Sequence, residues 1–262
     1  MTSDLFSLAG RTALITAGSR GIGRMMAQGF IDFGAKVYVS SPNAANCEQT
    51  ARELGPNCQP LPGDVSTMAG IVKLAEDYRA REDSLDILVN NAGLVRVAPL
   101  EEFSEEQWDD VLDLNLKSPF FMVQKFLPAL RAAATPERPG KVVNIASADA
   151  LSLYAIEHYS YKASKAGLVY LTRALANKLS ADHITVNTIA PGPFATPMNQ
   201  TASNNPDKVA SAVPMARLGN DDDMAACAIY LASRGGDYVT GAVIPVDGGL
   251  SMASARPHWV QR

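Results

Sequence analysis

Thr12-Ala13-Leu14-Ile15-Thr16-Ala17-Gly18-Ser19-Arg20-Gly21-Ile22-Gly23-Arg24-Met25-Met26 joins a short apolar run to a glycine-rich turn and the opening of an amphipathic stretch. Apolar residues on consecutive positions predict a strand buried on both faces, and Ile22, Met26, Phe30 and Phe33 then recur at helical spacing. A strand that turns through glycines into a helix lets the backbone approach a pyrophosphate, whose charge is met by the free N–H groups at the helix start. The same glycines would equally serve a tight turn with close helix-to-strand packing, so the turn alone does not decide the ligand.

Outward from this unit the pattern repeats. Val- and Ile-rich runs at Lys36 to Ser40, Ile87 to Asn90, Lys141 to Ala146, Ile184 to Ile189 and Ala242 to Val246 alternate with helical stretches. Two such stretches are marked by Val111, Leu112, Asn115, Leu116, Phe120, Val123 and Leu127, and by Leu168, Leu171, Leu175 and Leu179. Strand and helix in repeated alternation imply right-handed crossovers and a doubly wound, parallel α/β sheet of Rossmann type, covered on both faces. No linker divides the chain, so residues 1–262 are expected to form one domain. Pro191 to Pro214 is the long irregular region, and residues 193–213 within it are the expected substrate lid.

Composition removes several function classes. With 23 Lys and Arg against 27 Asp and Glu, a net charge of −4 gives no electrostatic reason to bind nucleic acid or an anionic membrane. Cys47, Cys58 and Cys227 are odd in number and widely spaced, so neither a disulfide framework nor a metal site is expected. Met1 to Leu8 lacks the pattern of a secretory signal, and the uncharged run from Ile184 to Pro206 is broken by prolines, which makes a cytoplasmic location the expectation. His158, His183 and His258 form no nucleophile and base arrangement legible in sequence, which disfavours a hydrolase built on Ser147, although His158 can still line a pocket.

An acid at the end of the second strand would bond a ribose 2′-hydroxyl and repel a 2′-phosphate. Val37-Tyr38-Val39-Ser40-Ser41-Pro42-Asn43 carries none. Arg20 can meet the phosphate as a positive charge, or be a solvated surface arginine, while Ser40, Ser41 and Asn43 supply hydrogen bonds. This favours NADP(H), with NAD(H) as the alternative.

Tyr161 and Lys165 share one face of a helix, where an ammonium beside a phenol favours the phenolate. Tyr161 would then be general acid toward a carbonyl or general base toward an alcohol. Ser147 ends a strand in Asn144-Ile145-Ala146-Ser147, at the edge where a parallel sheet presents ligands. Asn115 falls on an apolar helix face, where a buried amide must be hydrogen-bonded, and packing polarity accounts for it equally well.

Together with these residues, the glycine turn from Thr16 to Gly23, Gly63-Asp64-Val65, Asn90-Asn91-Ala92-Gly93, Tyr161-Lys162-Ala163-Ser164-Lys165 and Pro191-Gly192-Pro193-Phe194-Ala195-Thr196 resemble the short-chain dehydrogenase/reductase family. Arg217-Leu218-Gly219, Thr240-Gly241 and Asp247-Gly248-Gly249 extend the resemblance, which runs from about Leu8 to Leu250. Ala17 stands where that family usually has a glycine; if the turn needs positive φ there, alanine costs about 1 kcal/mol. The interval from Ser147 to Tyr161 is one residue longer than is usual, which places an extra residue within Ala148 to Tyr159.

The resemblance implies an oxidoreductase that moves hydride between NADP(H) and a carbonyl or secondary alcohol. It implies a catalytic set of Asn115, Ser147, Tyr161 and Lys165, with Asn115 holding a water beside Lys165 in a proton relay. Implied cofactor contacts are Thr16, Gly18, Ser19, Arg20, Gly21, Ile22, Gly23, Ser41, Asp64, Val65, Asn91, Gly93, Tyr161, Lys165, Pro191, Gly192 and Thr196, and the implied assembly is a homo-oligomer, a tetramer or a dimer. The alternative is a nucleotide-sensing protein that kept the fold without the chemistry, but such a sensor is expected to lose Tyr or Lys. Leu151, Leu153, Tyr154, Ile156, Phe194 and Met198 suggest either sheet-edge packing or an apolar pocket for a 3-oxoacyl thioester, a steroid, or a cyclic or aromatic ketone.

Overall fold

Alternation within each strand explains why the apolar runs are continuous. In β1 (Thr12–Thr16), Ala13 and Ile15 join the core on one face of the sheet, and Leu14 joins the core on the other. The same division holds for β2 (Lys36–Ser40), where Val37 and Val39 take the first face and Tyr38 the second. A strand with helices on both sides has no polar face to offer water, hence no period-two pattern of polarity.

The computed structural model describes residues 4–252; the ends of the predicted 1–262 domain, His258 included, lie outside the described residues. The remaining strands are β3 (Cys58–Pro60), β4 (Ile87–Asn90), β5 (Gly140–Ile145), β6 (Ile184–Pro191) and β7 (Val243–Val246). All pair in parallel in the order β3-β2-β1-β4-β5-β6-β7, so the order reverses between β1 and β4. On the first face lie α1 (Gly21–Asp32) and α9 (Asp221–Ala232), in such close approach that a Cβ on Gly29 would stand 2.6 Å from that of Ala225. On the second face, α3 (Met68–Arg79), α5 (Ser118–Ala133) and α6 (Tyr159–Leu179) bury Ile71, Leu74, Tyr78, Phe126 and Leu179. The single α/β domain is completed by α2 (Ala44–Leu54), α4 (Glu105–Leu112), α7 (Gln200–Asn204) and α8 (Pro206–Ala210). Among the described residues no helix is long and apolar enough to cross a membrane.

Several expectations are corrected. Residues 193–213 are not irregular throughout, because α7 and α8 lie within them. Phe33 falls beyond the end of α1 and is exposed. A π turn over Asp113–Lys117 connects α4 to α5, and the buried face of α5 is Met122, Val123, Phe126, Ala129 and Leu130, with Phe120 exposed. One extra residue in a helical turn shifts the succeeding helix, so a straight extrapolation of the apolar stripe places Phe120 inside, while Val123 is buried and Leu127 packs against the core as expected. In α6 the buried stripe is Leu168, Thr172, Ala176 and Leu179, with Leu171 and Leu175 at its margin.

Candidate active site

The glycine turn is shaped by close contacts that a side chain would fill. A Cβ on Gly18 would stand 2.9 Å from the Ile15 carbonyl oxygen, and one on Gly23 would stand 2.4 Å from that of Ala17. Gly21 has φ +51° and lies against Thr196, which brings the turn and the Pro191–Thr196 segment together. Ala17 itself has φ +49°, so this turn does carry the positive φ expected there, at a cost of about 1 kcal/mol. Thr50 Oγ1 donates to the Ser19 carbonyl at 3.0 Å and ties the turn to α2.

Thr16 and Asn91 are engaged with each other's segments. The Thr16 hydroxyl donates to the Val89 carbonyl and accepts from the N–H groups of Asn91 and Ala92, while the Asn91 amide donates to the carbonyls of Thr16 and Ala17. Their side chains thus clamp β1 to β4 at the point where the strand order reverses. Arg20 precedes α1 without capping it, is exposed, and makes no ion pair or side-chain hydrogen bond among the described residues. The first N–H groups of a helix have no intrahelical acceptor, so α1 presents free donors beside a free cation. At the end of β2, Ser40 Oγ is buried without a partner, whereas Ser41 Oγ donates to the Asn43 carbonyl and Asn43 caps α2. Asp64 is exposed and accepts from the Ser66 N–H and hydroxyl through Oδ1, with Val65 buried beside it. Gly192 packs on the Cα of Asp247, and the Thr196 hydroxyl accepts from the Asn199 N–H.

Asn115, Ser147, Tyr161 and Lys165 converge at the same sheet edge. Asn115 is fully buried in the π turn; its amide donates to the Leu94 carbonyl and to Ser164 Oγ, and its Oδ1 accepts the Leu94 N–H at 2.9 Å. A Cβ on Gly93 would lie 3.1 Å from that oxygen and 3.4 Å from Lys165 Nζ, so both groups border this glycine. Lys165 donates to the Ile145 carbonyl at 2.8 Å, and its Nζ lies 5.7 Å from the centre of the Tyr161 ring. The ammonium has two more protons, for which no acceptor exists among the described residues. Burial pushes Lys165 down to about 8. Burial also pushes the Tyr161 phenol up to about 12, with the hydrogen bond to Ser147 opposing that rise and the Asp149 carboxylate adding to it. In the protein alone burial dominates, and Tyr161 holds its proton. That is the form a general acid needs.

Sequence reasoning missed Asp149 and gave His158 no task beyond lining a pocket. The Ser147 hydroxyl donates to Asp149 Oδ2 at 3.2 Å, and Asp149 Oδ1 lies 3.0 Å from His158 Nε2. An acid two residues after a strand-end serine is the sequence signal that could have found the first. Of the apolar candidates, Phe194 belongs to the core, where its ring packs against Gly219. Leu153, Ile156 and Met198 are exposed, as are Val97, Leu100 and Met215. The loop bearing Val97 and that bearing Ile156 are joined by the Ala98 N–H donating to the Glu157 carbonyl.

The chain was compared with known proteins. The sequence profile of a family described as "Enoyl-(Acyl carrier protein) reductase" matches residues 16–251. A rhamnolipids biosynthesis 3-oxoacyl-[acyl-carrier-protein] reductase of Pseudomonas aeruginosa is 44% identical over 252 residues, covering 94% of this chain and 98% of that one. A 2-dehydro-3-deoxy-D-gluconate 5-dehydrogenase of Escherichia coli is 39% identical over 258 residues, covering 95% and 98%. Among solved structures, the Pseudomonas aeruginosa RhlG/NADP active-site complex superimposes with a TM-score of 0.93 at 43% identity, covering 96% of this chain and all of that one.

Proposed function

This chain belongs to the short-chain dehydrogenase/reductase family of oxidoreductases, and on that footing we propose that it interconverts a carbonyl and a secondary alcohol with NADP(H), NAD(H) being the alternative cofactor. The observation that carries the reading is the convergence of Ser147, Tyr161 and Lys165 at the carboxyl edge of the sheet, beside a glycine turn that ends in free helix N–H groups. The unpaired Arg20, the unpartnered Ser40 hydroxyl and the lack of an acid after β2 support the 2′-phosphorylated cofactor, as does the likeness to an NADP complex. The two unused protons of Lys165 suit ribose hydroxyls, and the Gly21 and Thr196 contact suits a cofactor held between the turn and the Pro191 segment.

Bound there, the nicotinamide supplies or accepts the hydride at the carbonyl carbon. The chain's own part is the proton. Ser147 turns its hydroxyl proton from Asp149 toward the substrate oxygen, and Tyr161, protonated at neutral pH, delivers its own proton to that oxygen in reduction. Lys165 stabilises the phenolate left behind, and Asn115, one glycine away, orders the path by which the proton is replaced.

The exposed side chains of Val97, Leu100, Leu153, Ile156, Met198 and Met215 support an apolar substrate and favour a 3-oxoacyl thioester over a sugar acid. Residues 193–213, with α7 and α8, are the proposed lid. Exposed Trp108, Phe120 and Tyr170 on α4, α5 and α6 support a homo-oligomer, and a cytoplasmic location completes the reading. A turnover screen of ketones and alcohols with each cofactor tests it. Tyr161→Phe is expected to abolish NADPH-dependent reduction while leaving cofactor Kd within about two-fold. A variant that loses cofactor binding with no specific loss of turnover would favour the sensor.

A further inference from the structure

Asp149 and His158 form a polar pair at this edge to which the proposed reaction gives no task. Asp149 lies in a tight turn, Ala148–Ala150, directly after Ser147. Its N–H donates to Ser147 Oγ at 3.1 Å, and the Ser147 hydroxyl donates to its Oδ2 at 3.2 Å. His158, 5% exposed, holds the other carboxylate oxygen through Nε2 at 3.0 Å. The His158 ring packs against Tyr161 with centroids 5.3 Å apart. Tyr161, Ser147, Asp149 and His158 therefore close a ring of contacts.

A carboxylate in that ring acts in two ways. It directs the Ser147 proton, and it opposes negative charge on the neighbouring phenol. We infer that Asp149, steadied by His158, is a positioning residue that orients the Ser147 hydroxyl beside the Tyr161 phenol, setting this edge to give a proton to a carbonyl oxygen. The inference rests on Tyr161 being the acid and base of the proposed function.

Other charged groups nearby are engaged elsewhere. Lys165 donates to the Ile145 carbonyl, Asp247 accepts from Gly249 and Ser251, Glu157 accepts from the Tyr159 hydroxyl, and Lys162 donates to the carbonyls of Tyr154 and Ile156. The Ser147 hydroxyl reaches Asp149 Oδ2 at 3.2 Å and also lies within hydrogen-bond reach of the Tyr161 phenol.

Ultraviolet titration of the cofactor-free protein, with Tyr161→Phe as the blank, reads the phenol without any turnover. Asp149→Asn keeps an acceptor for Ser147 and removes the charge. It is expected to move the Tyr161 titration, and the acid limb of alcohol oxidation, down by about one pH unit. His158→Phe keeps the ring packing and drops the donor, and is expected to lower kcat about ten-fold at unchanged cofactor Kd; His158→Gln restores most of that loss. An unmoved tyrosine titration in Asp149→Asn overturns the inference, and so does a His158→Phe enzyme that matches wild type in kcat and pH profile. Should Asp149→Asn fail to fold, the two His158 variants decide between these outcomes. A wild-type protein without turnover on any ketone or alcohol overturns the proposed function, and the tyrosine titration then decides the role of Asp149 alone.

Discussion

Lys165 is the residue whose surroundings are most at odds with its charge. Burial holds its ammonium at about 8 against an ordinary value of 10.5, with one carbonyl, that of Ile145, as acceptor. Below about pH 8 the lysine is charged both folded and unfolded, so its burial is a fixed cost. Between about 8 and 10.5 the unfolded chain binds the extra proton, and stability rises with pH. Tyr161 has the opposite effect above 10, because the folded chain keeps its proton up to about 12 while the unfolded chain has released it. Urea unfolding of the cofactor-free protein is therefore expected to show wild type gaining about 2 kcal/mol on Lys165→Met between pH 8 and 10. A difference that stays flat across that range would mean that Lys165 is not held in the desolvated position described. A similar tension appears at Ala17, whose positive φ is kept because its carbonyl is pinned by the Asn91 amide and crowded by Gly23.

At the scale of the element, the π turn over Asp113–Lys117 places Asn115 between the Leu94 backbone and Ser164 on α6. Asn115→Leu would fit the volume and leave the Leu94 N–H and carbonyl without their partner. It is expected to cost about 3 kcal/mol in urea unfolding; a cost under about 1 kcal/mol would show that water replaces the amide. Such a turn explains what could be read beforehand and what could not. The long buried strands and the glycine turn were legible, because continuous apolar runs and glycine spacing survive in sequence. β3, at three residues, and α7 and α8, at five each, are too short to carry a period. On α5, Phe120 was placed inside although it is exposed, because a π turn has no letter of its own. Asn115, Ser147, Tyr161 and Lys165 were singled out by their places on a helix face or a strand end together with the family resemblance, and they lie together at one sheet edge. Asp149 was missed because its contact with Ser147 arises from a turn folding back over two residues, a spacing outside the helix and strand periods that were read.

Across the whole molecule, a parallel sheet separates two chemistries by its two edges. The carboxyl edge gathers the glycine turn, Ser147 and Tyr161, next to the proposed lid. The amino edge gathers charges of another kind: Asp86 accepts the Thr12 N–H and pairs with Arg138 at 2.8 Å, and Arg11 donates to the Pro139 carbonyl. Lys141, in β5 and fully buried, pairs with Asp237 at 2.7 Å; burial draws its ammonium down, and Asp237 opposes that. Breaking a buried pair strands a charge, whereas replacing the charge by an apolar chain of similar volume is often neutral or better. Asp237→Asn is therefore expected to lose about 3 kcal/mol and Lys141→Met to lose none. Both should keep the cofactor Kd and kcat of wild type, because the strand length lies between them and the site. Urea unfolding set beside steady-state kinetics checks both halves. A loss of kcat in Asp237→Asn at a temperature where the protein stays folded would mean that the two edges are coupled through β5, the strand that carries Lys141 at one end and leads into Ser147 at the other.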